Sequence, residues 1–228
     1  VGFAHFQLGD YDNARALWRQ ARDAFAGLDD ANGVVRAEQN LGLLETARGD
    51  WKQARALLEG SLQAAEQRQM LEEAAVSLRN LVELEILEGN LDAAGQRLDR
   101  ASRLFESRQD QRGSTDAALL AARIALARGE PAEALALMDA LPDGAGTGTP
   151  EQATLAQLLR ARALAGLDRD ADARQALTEA DALAARAGIR VLQLEARVLA
   201  SRAPDAALDD EVRQLGHLPL QLAWLERR

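Results

Sequence analysis

The stretch Asn40–Leu62, NLGLLETARGDWKQARALLEGSL, decides the fold. It reads as a helix ending near Arg48, a tight turn at Gly49-Asp50, and a second helix carrying Trp51, Ala54, Leu57, Leu58 and Leu62 at helical spacing. The turn glycine recurs at Gly9, Gly49, Gly89 and Gly129, and a small residue follows five positions later at Ala14, Ala54, Ala94 and Ala134. A fixed period of this kind predicts a stacked repeat, in which each pair of helices buries its apolar side against the next pair.

Composition agrees with helices. Aromatics make up only 4% of the chain and β-branched residues are sparse, while Ala and Leu dominate the apolar set, so helix is favoured over strand. The chain has 36 acidic and 27 basic residues, for a formal charge of −9. An acidic surface repels phosphate backbones, which argues against nucleic-acid binding. Cysteine is absent, so disulfides and thiolate metal sites are excluded. No apolar run has the length of a membrane span and nothing resembles a signal peptide, so the expectation is a soluble, cytoplasmic protein without membrane contact.

Taken in order, residues 1–140 read as repeats, the first truncated at its N-terminus. The chain starts Val1-Gly2-Phe3 only eight residues before its first turn glycine. By register Val1 falls inside a helix, which predicts a fragment or processed product. The helical pairs expected are Ala31–Arg48 with Asp50–Gln67, Leu71–Glu88 with Asn90–Ser107, and Gln111–Arg128 with Glu130–Ala140. Leu81, Leu84, Leu91, Leu98 and Leu104 are core candidates in the third unit. Residues 141–150, LPDGAGTGTP, cannot continue a helix and are expected to form a Gly/Pro linker. A degenerate repeat is expected over 151–188, with its turn eroded to Gly166-Leu167-Asp168-Arg169. Residues 189–228 are read as capping helices that seal the stack.

These positions resemble the tetratricopeptide repeat. That family carries a Leu-Gly pair in its first helix, Gly-Asp-Tyr at the turn and Ala three residues on. Here they stand as Leu41-Gly42, Gly49-Asp50-Trp51 and Ala54, and the first unit has Gly9-Asp10-Tyr11 and Ala14. Small residues at Gly42 and Ala54 are expected to let two helices cross closely, and Tyr11 or Trp51 to fill the wedge between units. The usual repeat has about 34 residues, so the extra length lies after Ala54. The long period is similar to that of repeat tails in bacterial signalling proteins, and to kinesin light chains. The resemblance implies an all-α, right-handed superhelical solenoid of antiparallel helix pairs whose first helices line a concave groove.

It also implies where a peptide would lie. Nine residues before the turn glycine stand Asn40 and Asn80, at a position where related proteins hold a peptide backbone with an amide that both donates and accepts. Gln39 and Arg79 lie beside them, with Leu43, Glu83 and Arg123 one turn further. The alternative is that Asn40 and Asn80 brace neighbouring helices. A clamp for a C-terminal carboxylate is not expected, because the corresponding set holds Gln39, Leu43, Val76, Asp116 and Leu120, and the only lysine is Lys52.

His5 and His217 are too few and too separated for a metal or catalytic site. Glu72-Glu73 and Asp209-Asp210-Glu211 read as helix N-terminal charges rather than acid–base pairs. No phosphate loop, nucleophile elbow or zinc motif occurs, so neither catalytic residues nor a cofactor are expected. The tail residues Leu218, Leu220, Leu222, Trp224 and Leu225 read as a cover for the last repeat or, alternatively, as a homodimer surface. The sequence therefore predicts a module that binds a peptide or protein segment, part of a larger bacterial signalling protein. The alternative is a scaffold or oligomerisation arm with no groove ligand.

Overall fold

The computed structural model describes residues 1–141, 148–201, 205–217 and 219–220. Among them are twelve helices and no strand. They are α1 (Gly2–Gln7), α2 (Tyr11–Gly27), α3 (Ala31–Arg48), α4 (Trp51–Gln67), α5 (Leu71–Leu87), α6 (Leu91–Ser107), α7 (Gln111–Ala127), α8 (Pro131–Asp139), α9 (Pro150–Gly166), α10 (Asp170–Ala187), α11 (Arg190–Ala200) and α12 (Ala206–Leu215). The fold is all-α, with neighbouring helices packed in antiparallel pairs as in tetratricopeptide-like stacks. No described helix is long and apolar enough to cross a membrane.

The turns explain the regularity. At Gly9, Gly49, Gly89 and Gly129 the backbone is left-handed, with φ of 80°, 82°, 78° and 78°. The same conformation recurs midway between them at Asp29, Gln69 and Gln109, with φ of 54°, 58° and 55°. In both kinds of turn the next N–H donates back to a carbonyl five residues earlier, as Asp30 to Phe25 (2.9 Å), Asp50 to Glu45 (3.0 Å) and Met70 to Ala65 (2.8 Å). This closes the outgoing helix. The same residue then caps the incoming one: Asp30 accepts from the Gly33 N–H at 3.0 Å and Asp50 from that of Gln53 at 3.1 Å. The turn between α9 and α10 keeps the geometry without glycine, because Asp168 takes the left-handed position at φ 57°.

The chain divides into two compact units. One comprises Val1–Phe6 and Asp10–Asp110, the other Gln7–Gly9 and Gln111–Arg228. In the first, Tyr11, Ala14 and Trp18 pack with Leu41, Leu44 and Ala47, and Phe6 lies 5.5 Å from the Tyr11 ring. Tyr11 thus fills the wedge between helices of consecutive pairs, as the family resemblance implies. Ala54, Leu58, Leu78, Leu81, Leu84 and Ala94 are fully buried further along. Two expectations are corrected. The helix facing Gly42 presents Leu58, not Ala54: a Cβ on Gly42 would lie 2.6 Å from the Leu58 side chain. Leu91 and Leu104 are only half-buried, and Phe105 is the core residue near the end of α6.

In the second unit α7, α8 and α9 share a core of Leu119, Ala122, Ala134, Met138, Leu159 and Ala163. Pro131 occupies the first turn of α8, where its missing N–H costs no helical bond. Thr149 and Gln152 cap α9 reciprocally. Residues 142–147 of the expected linker lie outside the described residues. Leu220 is buried with Leu194, Val198, Leu208, Val212 and Leu215. Leu218, Leu222, Trp224 and Leu225 of the expected tail surface lie outside the described residues.

Candidate functional site

In the first unit, α3 and α5 are the first helices of consecutive pairs, and they touch. Between them lies a cleft of about 240 Å³ lined by Arg36, Gln39, Asn40, Glu72, Glu73 and Val76. Gln39 holds its floor together. Its amide nitrogen donates to the Glu73 carbonyl at 2.7 Å and to Ser77 Oγ at 2.9 Å, and Ser77 Oγ lies 2.9 Å from Ser61 Oγ on α4. With Gln39, Ser61 and Ser77 all buried, these bonds fix the register of three helices, since an unpaired buried polar group is costly.

The other expected site residues divide by what their polar atoms already do. Asn40 is half-buried at the cleft and makes no side-chain hydrogen bond among the described residues. Asn80 is buried, and its Oδ1 accepts from the Arg79 guanidinium at 3.2 Å. Leu43 and Glu83 are half-buried on α3 and α5. Arg123 is half-buried on α7, in the second unit. The structure therefore brings Gln39 and Asn40 together at one cleft, and pairs Arg79 with Asn80.

Each charge of the cleft has an ion-pair partner. Glu73, with its side chain 8% exposed, pairs with Arg36 at 2.9 Å. Glu72 pairs with Arg108 at 3.2 Å. Both glutamates stand in the first turn of α5, as the sequence suggests, and each also ties α5 to another element, Glu73 to α3 and Glu72 to the end of α6. Among the described residues no group of His, Asp and Glu side chains is placed to hold a metal ion.

A second hollow, of about 520 Å³, opens beside the α5–α6 turn and is lined in part by Arg55, Glu85, Glu88 and Asn90. Arg55 bridges Glu85 at 2.9 Å and Glu88 at 2.5 Å, and Arg97 reaches Glu85 at 3.3 Å. Burial alone would push the Glu85 carboxyl up, but the hydrogen bond and charge of Arg55, with the charge of Arg97, hold it below the usual carboxylate range. The same clamp appears one repeat earlier. Glu45, with its side chain 1% exposed, receives Arg15 at 2.6 Å.

These buried Glu–Arg clamps between one pair's second helix and the next pair's first helix do not follow from helical periodicity. A signal for them exists: Arg15 and Arg55, like Glu45 and Glu85, stand forty residues apart. At the next register both partners disappear together, as Gly95 and Ala125. The second unit uses an amide brace resembling that of Gln39. Gln152 donates to the Arg112 carbonyl at 2.9 Å and to Asp116 Oδ1 at 2.6 Å, joining α9 to α7.

Residues 1–67 match the model of the tetratricopeptide repeat family. No curated protein matches the chain. Together with the helical pairs that continue the register, the match supports a repeat protein of the tetratricopeptide superfamily. Repeats of that family generally mediate protein–protein interaction and are typically non-catalytic.

Proposed function

We propose that the first unit binds an extended peptide segment in the groove lined by its first helices, with Asn40 as the main contact to the peptide backbone. The observation that carries this reading is the uncommitted amide of Asn40 beside a cleft whose other polar groups are already satisfied. A primary amide can donate to a peptide carbonyl and accept from a peptide N–H at once, which suits recognition of backbone rather than side chain. Val76, half-buried on the opposite helix, supplies an apolar surface for a small side chain. The forty-residue period supports a regulatory setting like that of bacterial signalling proteins.

The test is a titration with acetylated, amidated ten-residue peptides of uncharged composition, followed by the side-chain amide signals of Asn40. Asn40→Ala is expected to weaken binding about tenfold, the equivalent of ~1.4 kcal/mol, with thermal stability unchanged. Adding Asn80→Ala is expected to contribute less, because Asn80 is already engaged by Arg79. Peptide binding that leaves the Asn40 amide unmoved would remove the site.

A further inference from the structure

We infer that the segment bound between α3 and α5 is uncharged, because the cleft's own ion pairs leave no charge available to a ligand. This rests on the peptide-groove reading above and adds to it the chemistry of the partner. Arg36 is the cation nearest Asn40 in sequence on the cleft wall, and its side chain is 60% exposed, so at first sight it would attract an acidic peptide. Its Nε and Nη2 both donate to one oxygen of Glu73, at 3.0 Å and 2.9 Å. Exposure is lopsided across that pair. An acidic ligand that drew Arg36 away would leave the nearly buried Glu73 carboxylate without its cation, and stripping a buried charge costs far more than an exposed contact returns.

A basic ligand meets the same obstacle from the other side. Glu73 is already neutralised and offers little surface, and the half-exposed Glu72 already has the Arg108 guanidinium at 3.2 Å, so a basic ligand would only exchange one cation for another there. What remains for a ligand is the Asn40 amide and the Val76 side chain, an amide and a hydrocarbon. Uncharged, extended segments with small apolar side chains match that pair, and their affinity owes nothing to salt-screened attraction.

The experiment uses the full chain and three sets of acetylated, amidated ten-residue peptides. One set is built from Ala, Val, Ser and Asn; the second carries two Asp in the same frame and the third two Arg. The uncharged set is expected to bind best, with a Kd that changes less than about twofold between roughly 0.05 M and 0.5 M salt. Glu73→Gln keeps the shape of the side chain and an acceptor oxygen but removes the negative charge that holds Arg36. It is expected to improve binding of the acidic set by about tenfold, the scale of a charge-assisted hydrogen bond newly available to the ligand. A wild-type preference for the acidic or the basic set, with steep salt dependence, would overturn the inference, and so would a Glu73→Gln variant that folds but gains nothing. The wild-type ranking decides the matter even where the variant does not fold. If instead all three sets bind equally in wild type and in Asn40→Ala, the groove reading itself has failed.

Discussion

Removing Arg15 should destabilise the first unit more than removing Arg15 and Glu45 together. Glu45 sits on α3 with its side chain 1% exposed, and the Arg15 guanidinium reaches it from α2 at 2.6 Å. Arg15→Ala leaves that carboxylate buried with its cation gone. Breaking a fully buried pair from one side costs ~3–5 kcal/mol. Arg15 is itself a quarter exposed, so water can enter the space it vacates, and the expectation falls to about 2–3 kcal/mol. In Arg15→Ala/Glu45→Ala no charge is stranded, and only the packing of two aliphatic stems is lost, roughly 1–2 kcal/mol.

The double variant should therefore be the more stable of the two, with a coupling energy of about 1–2 kcal/mol. The intact pair itself contributes less than its rupture costs, because Arg15 Nε is buried without a hydrogen-bond partner. Urea unfolding followed by circular dichroism gives the free energies, and native-state hydrogen exchange locates the loss in α2 and α3. If Arg15→Ala stays within about 0.5 kcal/mol of wild type, as ordinary surface substitutions do, the clamp is ornamental and the reasoning fails.

Two further predictions rest on the same geometry. Gly42→Ala and Gly60→Ala share a helix-propensity gain of about 1 kcal/mol, but a Cβ on Gly42 would meet Leu58 at 2.6 Å while Gly60 has open space. Urea midpoints should rise for Gly60→Ala and fall for Gly42→Ala, where overpacking costs roughly 1–3 kcal/mol; equal shifts would show that α4 moves away freely. The second concerns pH. The Glu85 carboxyl is lowered in the folded protein, so its stabilisation is present above the ordinary glutamate value of 4.5 and is lost as pH falls through the folded value. Burial raises that of Glu38 against a smaller opposing effect of Arg22, so its sign is reversed: the neutral acid is no burden at low pH, and a penalty for the half-buried carboxylate develops as pH rises through the folded value. At pH 7 Glu85→Gln should lower the urea midpoint and Glu38→Gln should raise it, with the Glu85→Gln difference shrinking in acid; a constant difference at all pH values would refute the assignment.

The helices were legible because their punctuation is written in residue types with steric consequences. Gly9, Gly49, Gly89 and Gly129 stand where φ is positive, and α3 to α7 begin and end within one or two residues of the positions their spacing predicts. The alternate turns were not legible as members of the same series. Asp29, Gln69 and Gln109 adopt the same left-handed conformation with side chains that do not demand it. Each costs about 1–2 kcal/mol in that conformation, which the helix pairing on both sides offsets. A true spacing of twenty residues from turn to turn was thus visible only in its glycine-bearing half.

The candidate site shows the same division between what a residue type dictates and what only packing decides. Asn40, Asn80, Gln39 and Arg79 are placed by register alone, and nothing in the sequence distinguishes an asparagine that faces a ligand from one that is already engaged. The difference comes from neighbours contributed by other parts of the chain. Gln39 is spent because Glu73 and Ser77 of the next pair lie within reach, and Asn80 because Arg79 folds back onto it. Asn40 has Val76 across from it and a closed Arg36–Glu73 pair beside it, so in the proposed reading its amide is the group left for a peptide. Stacking the same frame with slightly different residues makes one unit brace its neighbour where another can receive a partner. If the proposed groove binds a peptide, its specificity resides in what each cleft leaves unpaired rather than in the residues that recur.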